Sequence, residues 1–305
     1  MPRAATSWVS ECLESHSDVI AFGETGFWGK HYLDSVEAYA PHDAQALLKR
    51  LYHLRSAQLE RLQVEMREII DVIRSIIQKE SLSLRPKELF DWIAASVALA
   101  GGKPRVLEKT PHHINWIDRI ASCYPDARFI VMEREPYGFM LSYKHQGDRK
   151  NLRVRKAFNR LYHPAGCALM YRRYVRAIAY AKEKYPDRVR IVSHSQVRED
   201  PKRLLEELQC FLGLERIEDI VIPKTNTSFP DSERPELAEV DVWWMNLISG
   251  RYVRKVGGAL REARPPLSEV IRSVARLPLW AWHVVNHLKK DRLASVPAYI
   301  KNLLS

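Results

Sequence analysis

Four short apolar runs of strand length, each followed by a stretch of helical periodicity, leave this chain few folds to choose from. Asp18 to Gly23, Arg105 to Lys109, Arg128 to Glu133 and Arg188 to Ser193 are rich in Val, Ile, Leu and Phe. Strands that alternate with helices form a parallel sheet covered on both faces, with the working site at the carboxyl ends of the strands. The predicted fold is therefore α/β, a parallel β-sheet flanked by helices on both faces. From Asp43 to Lys79, Leu47, Leu51, Leu54, Leu62, Met66, Ile69 and Ile73 approximate a helical period and predict one or two long helices. Arg264-Pro265-Pro266 breaks the chain. It divides a predicted domain of residues 1–264 from a basic, amphipathic helical segment of residues 265–305.

Composition bounds the partners. The 305 residues carry a net charge of +11, which points to an anionic partner or substrate. Lys144 to Arg176 holds ten Lys and Arg against the single acid Asp148, and Arg251 to Ser305 holds eleven against three acids. No recognition motif accompanies that charge, so nucleic acid is not an expected partner. Cys12, Cys123, Cys167 and Cys210 stand far apart with no CxxC pair, predicting reduced structural thiols and no metal. No apolar run reaches the roughly 18 to 20 residues of a membrane-spanning helix. The opening Met1 to Trp8 lacks the apolar core of a secretion signal, and the expected location is cytoplasmic.

Three loops at predicted strand or helix ends carry the chemistry. Pro2-Arg3-Ala4-Ala5-Thr6-Ser7-Trp8 runs small residues and hydroxyls into a helix start, where free backbone N–H groups and the helix dipole attract anions. Arg3 adds a charge-assisted fork. Arg134-Glu135-Pro136 follows the third strand, and Ser142 lies two turns into the next helix, so the two side chains can grip one phosphate from two sides. Glu108-Lys109-Thr110-Pro111-His112-His113 stands at the end of the second strand. Each loop alone is also compatible with an ordinary cap or ion pair.

Together, in this order, the loops resemble the sulfotransferases that use 3′-phosphoadenosine 5′-phosphosulfate (PAPS). Arg3 to Trp8 is similar to the family's 5′-phosphosulfate loop, PRSGT[ST]W. Arg134 and Ser142 are similar to its 3′-phosphate element, Glu108 to Pro111 to the EKTP segment of the glycan-modifying branch, and Phe211-Leu212-Gly213-Leu214 to its late FLGL helix. The resemblance implies a sheet of the P-loop-NTPase type, PAPS as co-substrate and no metal. It further implies that Arg3 binds the 5′-phosphate and Lys109 the sulfuryl oxygens. Ala4, Ala5, Thr6, Ser7 and Trp8 then complete the donor loop, with Arg134 and Ser142 on the 3′-phosphate. Glu24, after the first strand, resembles the catalytic base of the glycan and tyrosylprotein branches. His112 and His113 compete for that role, because other relatives use a histidine just after a Lys-Thr pair, although Pro111 intervenes here.

Two departures stand out. Ala4-Ala5 replaces the family's Ser-Gly, removing a hydroxyl and placing a methyl group where backbone approaches phosphate. The family also has a buried strand immediately before this loop. The expectation is that such a strand lies upstream of Met1, and that a chain extended there folds and binds donor better. The expected acceptor is a hydroxyl (or amine) of a carbohydrate, glycolipid or small molecule. Trp28, Tyr32 and Phe27 are candidates to stack on it, with a core role equally open. Trp280, Trp282, Leu279, Val284 and Val285, flanked by Arg276, Lys289 and Lys290, suit a helix lying on an anionic membrane. The alternative reading is a catalytically impaired relative that binds anionic surfaces. A phosphate-loop kinase is disfavoured, because the chain has no GxxxxGK[ST] loop.

Overall fold

The computed structural model describes residues 1–32, 37–51, 63–148, 150–217, 220–222, 235–255 and 257–290. The chain opens with helix α1 (Thr6–Glu14), strand β1 (Val19–Phe22) and the single turn α2 (Phe27–Lys30). Helices α3 (Pro41–Leu51), α4 (Gln63–Lys79) and α5 (Pro86–Gly101) then lead to β2 (Arg105–Glu108). A 3₁₀ turn (Pro111–Trp116), α6 (Ile117–Cys123), β3 (Phe129–Glu133), α7 (Pro136–Lys144), α8 (Leu152–Leu161) and α9 (Pro164–Lys184) follow. Strand β4 (Val189–Ser193), α10 (His194–Glu199), α11 (Pro201–Leu212), α12 (Glu239–Lys255), α13 (Leu267–Ala275) and α14 (Leu277–Lys290) complete the order.

The four predicted apolar runs are the four strands, and burial is complete in β1 and partial in β2, β3 and β4. All of β1 is buried, so no position in Val19-Ile20-Ala21-Phe22 needs to be polar. The helix boundaries follow local chemistry. Proline opens α5, α7, α9 and α11 at positions where the missing N–H costs nothing. Gly102 and Gly213 close α5 and α11 in the left-handed conformation.

β1 pairs with β2 in parallel, Val19 opposite Arg105 through Phe22 opposite Glu108. β3 pairs in parallel with β4, Phe129 opposite Val189 through Glu133 opposite Ser193. The parallel strands and flanking helices are those of the expected α/β fold, and the sheet itself is in two halves. Each half has its own core. Phe22, Phe27, Trp28, Leu89 and Phe90 centre the first, and Leu13, Phe139, Met140, Tyr171 and Leu208 centre the second. A cavity of about 980 Å³ is lined by residues of both β2 and β3, among them Val106, Leu107, Ile130 and Val131. Among the described residues no strand crosses it. At its edge the Met1 amino group donates to the carbonyl of Met132.

The C-terminal helices pack on the second half. Trp280 turns inward, donating through Nε1 to the Leu161 carbonyl at 3.0 Å. It lies where any Cβ on Gly166 would come within 2.2 Å of its ring, so that position must be glycine. Trp282, by contrast, is 60% exposed. No described helix is long and apolar enough to cross a membrane.

Candidate active site

The carboxyl ends of β1, β2 and β3 converge on the start of α1. Arg3 and Ala5 both take φ near 62°, a backbone conformation that a side chain disfavours. This turn leads into α1, where Ala5 at the N-cap supplies no side-chain cap. Trp8 anchors the loop from below at 7% exposure, with Ala4 fully buried. Thr6 is half-buried and Ser7 exposed, so both hydroxyls stand at the helix mouth.

Arg3 reaches the third strand's helix. Its Nε donates to the Ser142 hydroxyl at 3.0 Å, and Arg134 Nη1 donates to the Arg3 carbonyl at 2.6 Å. Ser142 is 1% exposed on α7, whose first turn is capped by Glu135 accepting from the Tyr137 amide at 3.0 Å. The residues singled out in two separate sequence loops thus form one hydrogen-bonded cluster.

Across from it, the ends of β1 and β2 carry a second cluster. Lys109 Nζ lies 2.8 Å from Glu24 Oε1, the lysine side chain 19% and the glutamate 55% exposed. The Glu24 charge acts on both Arg3 and His112, which places the four groups in one electrostatic neighbourhood. His112 is held by the Tyr174 hydroxyl through Nδ1, and burial lowers its pKa to about 4. Its imidazole is therefore neutral at pH 7.

His113 is turned away from this group. Its Nδ1 lies 2.8 Å from Glu108 Oε2, in a pair with side chains 10% and 13% exposed. Of the predicted ring-stacking residues, Phe27 and Trp28 are buried in the core, while Tyr32 is half-buried against Trp28, ring centroids 5.2 Å apart. Two participants escaped the sequence reading. Tyr174 comes from α9, and no local signal ties it to His112. Glu108 stood inside a quoted motif without a role, and its signal was an acid closing a strand. Among the described residues, no group of three or more His, Cys, Asp or Glu side chains could hold a metal. The four cysteines are unpaired.

Cations and hydroxyls gathered beside a helix start at the ends of parallel strands form a candidate anion site in an α/β protein. The sequence profile of the sulfotransferase family matches residues 1–219, and the chain belongs to that family. Three solved structures align with it at low identity, and the first of them shares its fold. The sulfotransferase domain of the Synechococcus PCC 7002 olefin synthase aligns at 16% identity over 90% of each chain, with a TM-score of 0.51. The sulfotransferase domain from the curacin biosynthetic pathway aligns at 15% identity over 91% of this chain and 94% of its own, with a TM-score of 0.49. A sulfotransferase from Alicyclobacillus acidocaldarius aligns at 16% identity over 85% and 94%, with a TM-score of 0.44. Among curated proteins none matches significantly in sequence.

Proposed function

We propose that this sulfotransferase takes its sulfuryl group from PAPS and passes it to a hydroxyl of a carbohydrate, glycolipid or small-molecule acceptor, with Glu24 as base. The observation that carries the reading is the joining of Arg3, Ser142 and Arg134 beside the Lys109–Glu24 pair. The donor set fits a bis-phosphorylated nucleotide. Arg3 and the uncapped amides of α1 face a 5′-phosphosulfate, and Arg134 with Ser142 faces a 3′-phosphate.

In the transfer, the acceptor oxygen bonds to sulfur in line as the bond from sulfur to the phosphate oxygen breaks. The departing electron pair stays on that phosphate, and Arg3 with the α1 amides is aimed where this charge grows. The acceptor proton passes to Glu24, which stands half-exposed at the mouth of the site. His112 suits the base role less, because burial lowers its pKa to about 4. Lys109 contacts both the base and the sulfuryl oxygens.

Calorimetric titration of 3′-phosphoadenosine 5′-phosphate, with AMP as control, tests the reading. Binding should require the 3′-phosphate and weaken in Arg134→Ala. Equal affinity for both nucleotides, or for neither, overturns it.

We also propose that the C-terminal helices rest on an anionic membrane surface, which favours a lipid-linked acceptor. Leu267, Ile271 and Val274 share one face of α13 and are exposed, as are Leu279 and Trp282 of α14. Arg272 and Arg276 are exposed beside them. Apolar side chains flanked by cations match the boundary between acyl chains and acidic headgroups.

A further inference from the structure

Glu108 closes β2 directly opposite Phe22, the last residue of β1. Beyond this register pair the two strands part into the loops that carry Glu24 and Lys109. Glu108 ties those loops together. Its Oε1 accepts from the Thr25 hydroxyl at 2.7 Å and the Thr25 amide at 3.2 Å on one loop, and from the Thr110 hydroxyl at 2.5 Å on the other. Thr110 Oγ1 in turn accepts from the Gly26 amide at 3.2 Å. The second carboxylate oxygen faces His113 Nδ1 at 2.8 Å.

Such a carboxylate is costly to bury unless it is paired, and each of its partners here belongs to a loop that frames the site. Burial pushes the Glu108 carboxyl up, but the His113 charge and the hydroxyl donors outweigh it and hold the group below its ordinary value. Thr25 follows Glu24 in sequence and Thr110 follows Lys109. Fixing both threonines on one oxygen fixes the backbone on which the 2.8 Å Lys109–Glu24 pair is mounted.

We infer that Glu108 is a positioning residue for sulfuryl transfer: it sets the separation of Glu24 from Lys109 without touching substrate itself. The inference rests on the reading of Glu24 as base. Its partner His113 holds the second carboxylate oxygen at 2.8 Å, which assigns the second histidine of the pair a structural part.

The test is sulfate release from PAPS with water as acceptor, alongside titration of 3′-phosphoadenosine 5′-phosphate. Glu108→Ala should lower kcat about 10- to 100-fold while leaving KM for the donor within about 3-fold. Glu108→Gln keeps an oxygen for both threonines and should recover most of that loss. In the Glu24→Gln background the alanine change should cost less than about 3-fold, because two residues acting through one interaction are not additive. Equal losses in both backgrounds, or donor binding lost in step with kcat, would show that Glu108 merely holds the fold and would overturn the inference. A wild-type protein that binds no nucleotide overturns the reading beneath it instead. Amide hydrogen exchange then decides Glu108 alone. Thr25 and Gly26 should exchange about 10-fold faster in Glu108→Ala and recover in Glu108→Gln, with α9 unchanged. Unchanged exchange at those two amides refutes the tie.

Discussion

Lys109 Nζ meets Glu24 Oε1 at 2.8 Å across the ends of two neighbouring parallel strands. The pairing of Phe22 with Glu108 puts both residues just past the last ladder position, where side chains leave the sheet. A carboxylate and an ammonium so mounted need no long side-chain search to meet, because the strand register has already set their backbones. The pair is open to solvent on the glutamate side.

Removing the carboxylate charge tests the base directly. Glu24→Gln should reduce turnover by roughly 100-fold or more, the usual size for a lost general base, with affinity for 3′-phosphoadenosine 5′-phosphate nearly unchanged. Full activity in that variant moves the role to His112.

Ala5 occupies left-handed backbone at φ 62° and ψ 23°. Relief of that strain outweighs the extra chain entropy of glycine, so Ala5→Gly should raise stability by about 0.5 to 1 kcal/mol. Nucleotide affinity should rise with it, since a methyl group leaves the donor loop. Urea midpoints and calorimetry read the two effects, and a lower midpoint contradicts the strain.

His112 sets a pH window. Its pKa falls from 6.5 to about 4 on folding through burial, so between those values the unfolded chain binds the extra proton. The stability it contributes is complete above pH 6.5 and is lost as pH falls toward 4, by up to roughly 3 kcal/mol. His112→Gln should flatten the change in urea midpoint between pH 7 and pH 4.5. A slope equal to that of the wild type excludes His112 as its source.

The exposed apolar stripe of α13 and α14 makes a lipid prediction. The protein should sediment at low salt with vesicles of phosphatidylglycerol and phosphatidylcholine, and far less with phosphatidylcholine alone. Ile271→Glu combined with Trp282→Glu should abolish it. A protein that stays in the supernatant with anionic vesicles sinks the membrane reading, and a concentration-dependent dimer on gel filtration would give the stripe another occupant.

How much of this was legible depended on the distance over which each feature is determined. Strands β1 to β4 lay within the predicted runs, because short runs rich in Val, Ile, Leu and Phe mark strands whether burial is complete, as in β1, or partial, as in β2 to β4. The long helical region resolved into α3 and α4, with residues 52–62 outside the described part. The site loops were readable as strand ends and a helix start. Tyr174 on His112 was not, nor was the inward turn of Trp280, expected among the membrane-facing residues. Both depend on partners 62 and 119 residues away. The double threonine tie of Glu108 likewise needs the register of β1 against β2, which no periodicity encodes.

The cavity between the half-sheets has a mechanical consequence. Glu24 and Lys109 ride on β1 and β2, whereas Arg134 and Ser142 ride on β3 and α7. Its width is therefore the span of a caliper, with the Lys109–Glu24 pair on one jaw and Arg134 with Ser142 on the other. The cavity wall itself includes Thr6 and Lys109, so the gap between the facing edges of β2 and β3 opens directly onto the site.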